Sequence, residues 1–148
     1  MKKIKDILVR DITSVTSDDT MRNVARILAN HRFSGIPVVD NDHRVIGFIS
    51  ESDVVRSEFP QMGRSPGLFL IRDFAGIVRK ISKVGSQKVS DYMNQRPITI
   101  EEDDSIMDVV RLILERGVKV IPVVRDGVLV GVVGRAEICR ELLESGTL

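Results

Sequence analysis

A tandem repeat constrains this chain more than any other feature, because each structural unit must then occur twice and the two units must bury their apolar faces together. Lys5-Asp6-Ile7-Leu8 is echoed by Val89-Ser90-Asp91-Tyr92-Met93, with Asp6 and Asp91 85 positions apart. Ile36-Pro37-Val38-Val39 returns as Ile121-Pro122-Val123-Val124 at the same spacing of 85, whereas Gly47 returns as Gly131 at 84. The missing residue falls in a turn. In the second copy Asp126-Gly127 separates Val123-Val124-Arg125 from Val128-Leu129-Val130, a strong short hairpin signal. The first copy spends one more residue around Asn41-Asp42-His43.

Each copy reads strand, helix, strand, strand, helix. A short extended piece, Thr13-Ser14-Val15 or Ile98-Thr99-Ile100, leads through an acidic turn into an amphipathic helix that starts near Thr20 or Ser105. The first helix places Met21, Val24, Ala25 and Leu28 on one face; the second places Ile106, Val109, Val110 and Ile113 likewise. Thr20 with Asn23, and Ser105 with Asp108, supply the caps. The closing helices begin at Ser50 and Gly134. One copy of about 50 residues buries too little surface to be stable alone. Two copies packed with pseudo-twofold symmetry solve this and leave a cleft where their strand ends meet. The expected fold is therefore α/β (α+β), two β-α-β-β-α motifs over 1–56 and 89–148 with an insert over 57–88.

Pro60, Gly63, Pro66 and Gly67 mark the first part of the insert as a loop. Ser65-Pro66 is a good helix entry, and apolar residues at 71, 74, 78 and 81 predict a helix over 70–84 with one apolar face, closed by Gly85. That face packs on its own domain or on a partner or second copy; Arg79, Lys80 and Lys83 leave a membrane-surface helix as a third option.

The 148 residues are 43% hydrophobic, enough for a core, and 22 Lys and Arg against 21 Asp and Glu leave a net charge of +1. So balanced a chain has no general attraction to nucleic acid or acidic membrane, and it lacks a basic stripe interleaved with aromatics. No apolar run approaches the roughly 20 residues of a spanning helix, and a cytoplasmic protein is expected. The single cysteine, Cys139, cannot form an internal disulfide and is expected to be a buried structural thiol beside Ile138 and Leu142. Only His31 and His43 are available, which argues against a metal cage or a Cys-His pair. Gly131-Val132-Val133-Gly134 is too short and apolar for a phosphate loop. Glu101-Glu102-Asp103-Asp104 reads as a solvated turn favoured by a helix dipole rather than a metal cluster. No enzymatic constellation emerges.

The stretch Gly47-Phe48-Ile49-Ser50-Glu51-Ser52-Asp53 carries most of the chemistry. Ser50 at an N-cap with Asp53 three residues on makes a capping box. The same turn, with free N–H groups and a positive dipole end, is also an anion or ribose site in which a hydroxyl and a carboxylate converge. Both readings stand on these residues alone.

The copies in register resemble a pair of CBS domains, the regulatory modules named after cystathionine β-synthase. The matching pieces are Gly35 to Asp40 with Val45 to Asp53, and Val118 to Val124 with Val130 to Glu137. The resemblance covers nearly everything except the insert. It implies a non-catalytic regulatory module that binds an adenosine-containing ligand (AMP, ADP or ATP, or S-adenosylmethionine) between the motifs, needs no cofactor, forms a homodimer and signals to a regulated protein. The family's ligand motif is Gly, a hydrophobic residue, any residue, Ser or Thr, two residues, then Asp. Gly47, Phe48, Ile49, Ser50 and Asp53 match it throughout.

By that resemblance the pairing is crossed. Ser50 and Asp53 are expected to work with Ile98, Thr99 and Ile100 and with Lys119, Val120, Ile121 and Pro122. The carboxylate would accept from the ribose diol and the hydroxyl would meet phosphate; Lys119 reaches phosphate or is a solvated surface lysine. The mirror site would use Ser14, Val15, Gly35, Ile36 and Pro37 with Gly134 and Glu137. Gly134 has no hydroxyl and Glu137 carries its carboxylate one methylene farther out, so the expectation is one competent site and a second that is empty, weaker or differently selective. The competing class is a ligand-free structural or dimerisation module acting through the insert helix.

Overall fold

A computed structural model describes residues 2–30, 33–59 and 85–148; the helix expected over 70–84 lies outside them. The first copy comprises β1 (Val15–Thr16), α1 (Met21–Asn30), β2 (Gly35–Val39), β3 (Val45–Ser50) and α2 (Glu51–Glu58). The second comprises β4 (Ile100–Glu101), α3 (Ile106–Arg116), β5 (Val120–Arg125), β6 (Val128–Gly134) and α4 (Arg135–Glu144). Each copy folds a three-stranded sheet in the order β1-β2-β3 or β4-β5-β6. The first pair in each sheet is parallel and the second antiparallel, and the registers Val15↔Val38 and Ile100↔Val123 differ by the repeat spacing alone.

The turns explain the lost residue. Asp126 and Gly127 both take positive φ, 52° and 84°, as a two-residue hairpin turn demands. The longer first turn is held by the Asp40 carboxylate, which accepts from the backbone N–H groups of Asp42 and Arg44 at 2.9 Å each. The two hairpins then join each other: Val45 N donates to Gly127 O at 3.1 Å and Leu129 N to His43 O at 3.0 Å. Arg44 and Val128, equivalent positions of the repeat, face each other in an antiparallel bridge. The pseudo-twofold axis passes between them.

The helices start where their caps dictate. Thr20 Oγ1 accepts from Asn23 N at 3.2 Å, Ser105 N donates to Asp108 Oδ2 at 3.1 Å, and Gly117 at φ 65° ends α3. Met21, Val24 and Leu28 are buried against Val15, Ile36, Val38 and Ile49. Ala25 is exposed instead, at the flank of that stripe, and the half-buried Ile27 packs on the core. On α4, Ile138 takes the core position and Cys139, one residue out of phase with it, is exposed rather than buried.

The copies exchange their leading segments. Ile4 N donates to Asp104 O at 3.0 Å, and its counterpart Val89 N donates to Asp19 O at 2.8 Å. Val9 pairs with Val132 through two bonds of 2.8 and 2.9 Å, and Asn94 pairs with Phe48 through 2.9 and 3.1 Å. Ile4 and Val89 are both fully buried, Ile4 among Ile100, Val109 and Ile121 of the second copy and Val89 among Val15, Met21 and Val24 of the first. Each core is thus completed by the other copy's leading residues.

The acidic turn before α3 serves this exchange and is not merely solvated. Glu102, only 5% exposed, pairs with Arg125, and Asp103 meets Lys5 at 2.9 Å and Lys3 at 3.8 Å. Hydrogen bonding and attraction to Lys5 hold the Asp103 carboxyl below its ordinary range, and Asp103 raises Lys5 in return. Among the described residues no helix is long and apolar enough to cross a membrane.

Candidate functional site

Strand β3 runs without a break into α2, and the junction is built by its own side chains. Ser50 is the N-cap: its Oγ accepts from Asp53 N at 3.2 Å. Asp53 Oδ2 closes the box by accepting from Ser50 N and from Ser50 Oγ, both at 2.9 Å. The capping reading of this stretch is therefore realised in full. Asp53 Oδ1 is engaged more weakly, 3.7 Å from the largely exposed guanidinium of Arg56.

The junction opens on a cleft of about 340 Å³, within the range of small-molecule sites. From the first copy it is lined by Ser34, Phe48, Ser50, Glu51, Ser52, Asp53 and Arg56, and from the later part of the chain by Asn94, Pro97, Ile98, Gly117, Val118, Lys119, Val120 and Pro122. Of the residues expected from sequence, Ser50, Asp53, Ile98, Lys119, Val120 and Pro122 converge here. Thr99 is exposed and outside the lining, and Ile100 and Ile121 belong to the second core, 5% and 1% exposed. On β5 strand alternation explains the split, with Val120 and Pro122 toward the cleft and Ile121 toward the core; Ile98 and Thr99 precede β4, which begins only at Ile100.

Sequence reading missed Phe48 as a wall, although it stood inside the motif. A Cβ on Gly35 would lie 2.4 Å from the Phe48 ring. Glycine at 35 is what lets the ring lie across the strand beside the cleft. Arg56 was legible only as the residue one turn beyond Ser52 and Asp53. Gly47, the first residue of the motif, does not line the cleft at all: its missing side chain makes room for Met93 and Asn94 of the exchanged segment.

A second cleft of about 490 Å³ lies at the start of α4, lined by Phe33, Ser34, Lys119, Val120, Gly134, Arg135, Ala136, Glu137 and Arg140. Gly134 and Glu137 take part as expected. Ser14, Val15, Gly35, Ile36 and Pro37 do not line it; Val15 and Ile36 are 3% and 0% exposed in the first core. Glu137 is 4% exposed and accepts from Gly134 N at 2.8 Å. A Cβ on Gly134 would sit 2.8 Å from Lys119 O, which explains the missing hydroxyl: no side chain fits there without moving the neighbouring strand.

Comparison with known proteins follows the repeat. Residues 4–59 and 89–144 each match the family model of the CBS domain. The chloroplastic CBS domain-containing protein CBSX1 of Arabidopsis thaliana is 26% identical over 147 residues; the match takes in 90% of this chain but 60% of CBSX1. YlbB of Bacillus subtilis is 30% identical over 134 residues, 90% of this chain and 77% of YlbB. Among solved structures, CBSX2 from Arabidopsis thaliana in complex with AMP superposes with a TM-score of 0.76 at 23% identity, covering 99% of both chains. The CBS domain pair of MJ0100, in complex with 5′-methylthioadenosine and S-adenosyl-L-methionine, gives 0.69 at 22% identity, covering 95% of this chain and 99% of that one. At these identities the structures show a shared fold. With both halves matching the same family model and the whole chain sharing the architecture of CBS pairs, this protein belongs to the CBS domain family as a tandem pair.

Proposed function

We propose that the chain is a non-catalytic regulatory module that takes an adenosine-containing ligand of the AMP, ADP or ATP class in the cleft at the β3–α2 junction. The observation that carries this is the convergence, in one cavity of about 340 Å³, of Ser50 and Asp53 from one copy with Ile98, Lys119 and Val120 from the other. Asp53 can only accept, which suits a vicinal diol that donates twice. Phe48, Ile98 and Val118 offer apolar surface to the base, and the positive end of α2 favours phosphate, although its Glu51 and Asp53 N–H groups already donate to Ser34 O and Ser50 Oγ. AMP in CBSX2, and 5′-methylthioadenosine and S-adenosylmethionine in the MJ0100 pair, support the adenosine class by analogy.

Because the cleft is walled by both copies, occupancy would bias their relative placement, and through it a homodimer or a regulated partner. Val55 on α2 and Leu143 on α4, 59% and 65% exposed, are candidates for contact with a second copy. Thermal melts with AMP, ADP, ATP and S-adenosylmethionine test the proposal. A true ligand raises the melting temperature in proportion to the logarithm of its concentration above Kd. Asp53→Ala should abolish that rise while shifting the ligand-free melt by about 1–2 kcal/mol, the cost of a lost cap partner. No shift with any adenosine compound would favour the ligand-free interaction module.

A further inference from the structure

The two clefts differ in charge in a way that their pseudo-symmetry hides. In the first, Arg56 and Lys119 are matched by Glu51 and Asp53, and Arg56 already pairs with Asp53. In the second, Lys119, Arg135 and Arg140 face one carboxylate, Glu137. That carboxylate is buried and committed to the backbone of Gly134. Among the described residues no ion pair engages Lys119, Arg135 or Arg140. The second cleft therefore offers surplus positive charge; Gly134 leaves it without the capping hydroxyl that Ser50 supplies in the first, and its aromatic lining comes from Phe33 in place of Phe48.

The clefts also adjoin, since Ser34, Lys119 and Val120 line both. Lys119 stands at the boundary and is exposed to either side. Building on the adenosine reading of the first cleft, we propose that one nucleoside polyphosphate spans both clefts. Its nucleoside lies against Phe48 and Asp53, and its terminal phosphates lie between Lys119, Arg135 and Arg140. Two arginine forks beside one ammonium suit the tetrahedral oxygens of a di- or triphosphate end better than a second nucleoside. The start of α4 adds its dipole in the same direction.

Calorimetry with AMP, ADP and ATP on the full chain, without added magnesium, tests this against Arg135→Gln combined with Arg140→Gln. Both side chains are exposed, so the variant should fold, and its melt without nucleotide checks that it does. The expected result is one nucleotide per chain, with affinity rising from AMP through ATP. In the double variant ATP should weaken about tenfold or more, as for loss of well-placed charge pairs, while AMP stays within about twofold because it does not reach those residues. Two ATP molecules per chain, equal affinity for AMP and ATP in the parent, or equal weakening of both in the variant would each overturn the spanning proposal while leaving the adenosine site intact. Failure of AMP itself to bind would overturn both.

Discussion

Ser50 and Asp53 satisfy each other, and that mutual arrangement sets what a ligand must do. A diol that takes Asp53 as acceptor competes with the Ser50 hydroxyl but need not disturb the bond from Ser50 N. The glycines have a different logic. A Cβ at Gly131 would lie 2.5 Å from Val9 O, a backbone atom that cannot move alone, whereas at Gly47 it would meet the flexible end of Met93 at 2.5 Å. Gly131→Ala should therefore destabilise by about 1–3 kcal/mol, the usual cost of overpacking, and Gly47→Ala by clearly less. Denaturant midpoints of the two variants check the ranking; equal losses would contradict it. Gly47 shows how far a local motif carries. Its place in the repeat was readable, but its physical reason lies in a segment dozens of residues away. Phe48 was visible too, yet its role depends on Gly35 across the strand pair.

The order of elements was legible because it rests on local signals: hydrophobic period, caps and the Asp126-Gly127 turn. The exchange of leading segments was not, because Lys5-Asp6-Ile7-Leu8 reads the same whichever sheet receives it. Ala25 and Cys139 show the related limit, since a position at the edge of an apolar stripe is settled by what packs beside it. The exchange predicts that Ile4, nominally in the first copy, stabilises the second core. Ile4→Ala should cost about 2–5 kcal/mol, as for other buried Ile truncations, and hydrogen exchange should show the loss first in β4 and α3. Losses confined to β1 and α1 would contradict it.

The same segment carries a pH dependence with a definite sign. The carboxyl of Asp103 is depressed in the folded chain, so its contribution is present above the ordinary carboxylate range and is lost as pH falls through the depressed value. Lys5 is raised, so its contribution is full below the ordinary lysine range and is lost as pH rises through the raised value. Amide protection of residues 4–9 should hold across neutral pH and fall selectively in acid. Asp103→Asn should remove the acid-side loss, and added salt should blunt it because the pair is exposed.

Across the whole molecule, a symmetric scaffold holds two unequal clefts. The register, hairpins and exchanged segments obey the repeat nearly residue for residue. The differences gather where chemistry would occur: Ser50 against Gly134, Asp53 against Glu137, Phe48 against Val132. The first two of those differences were readable in the sequence, where they carry the expectation of one competent site and a second that is empty, weaker or differently selective. The basic lining of the second cleft was not, because Arg135 and Arg140 come together with Lys119 only after β5 and β6 place the start of α4 beside it. Asp53 is the residue on which the first cleft's chemistry turns, and its role can be isolated by calorimetry with AMP and 2′,3′-dideoxy-AMP on the parent chain and on Asp53→Ala. The parent should prefer AMP roughly ten- to hundredfold, as expected for hydrogen bonds to a charged acceptor, and Asp53→Ala should bind the two alike. Equal affinity for both nucleotides in the parent chain would contradict an adenosine site built on Asp53.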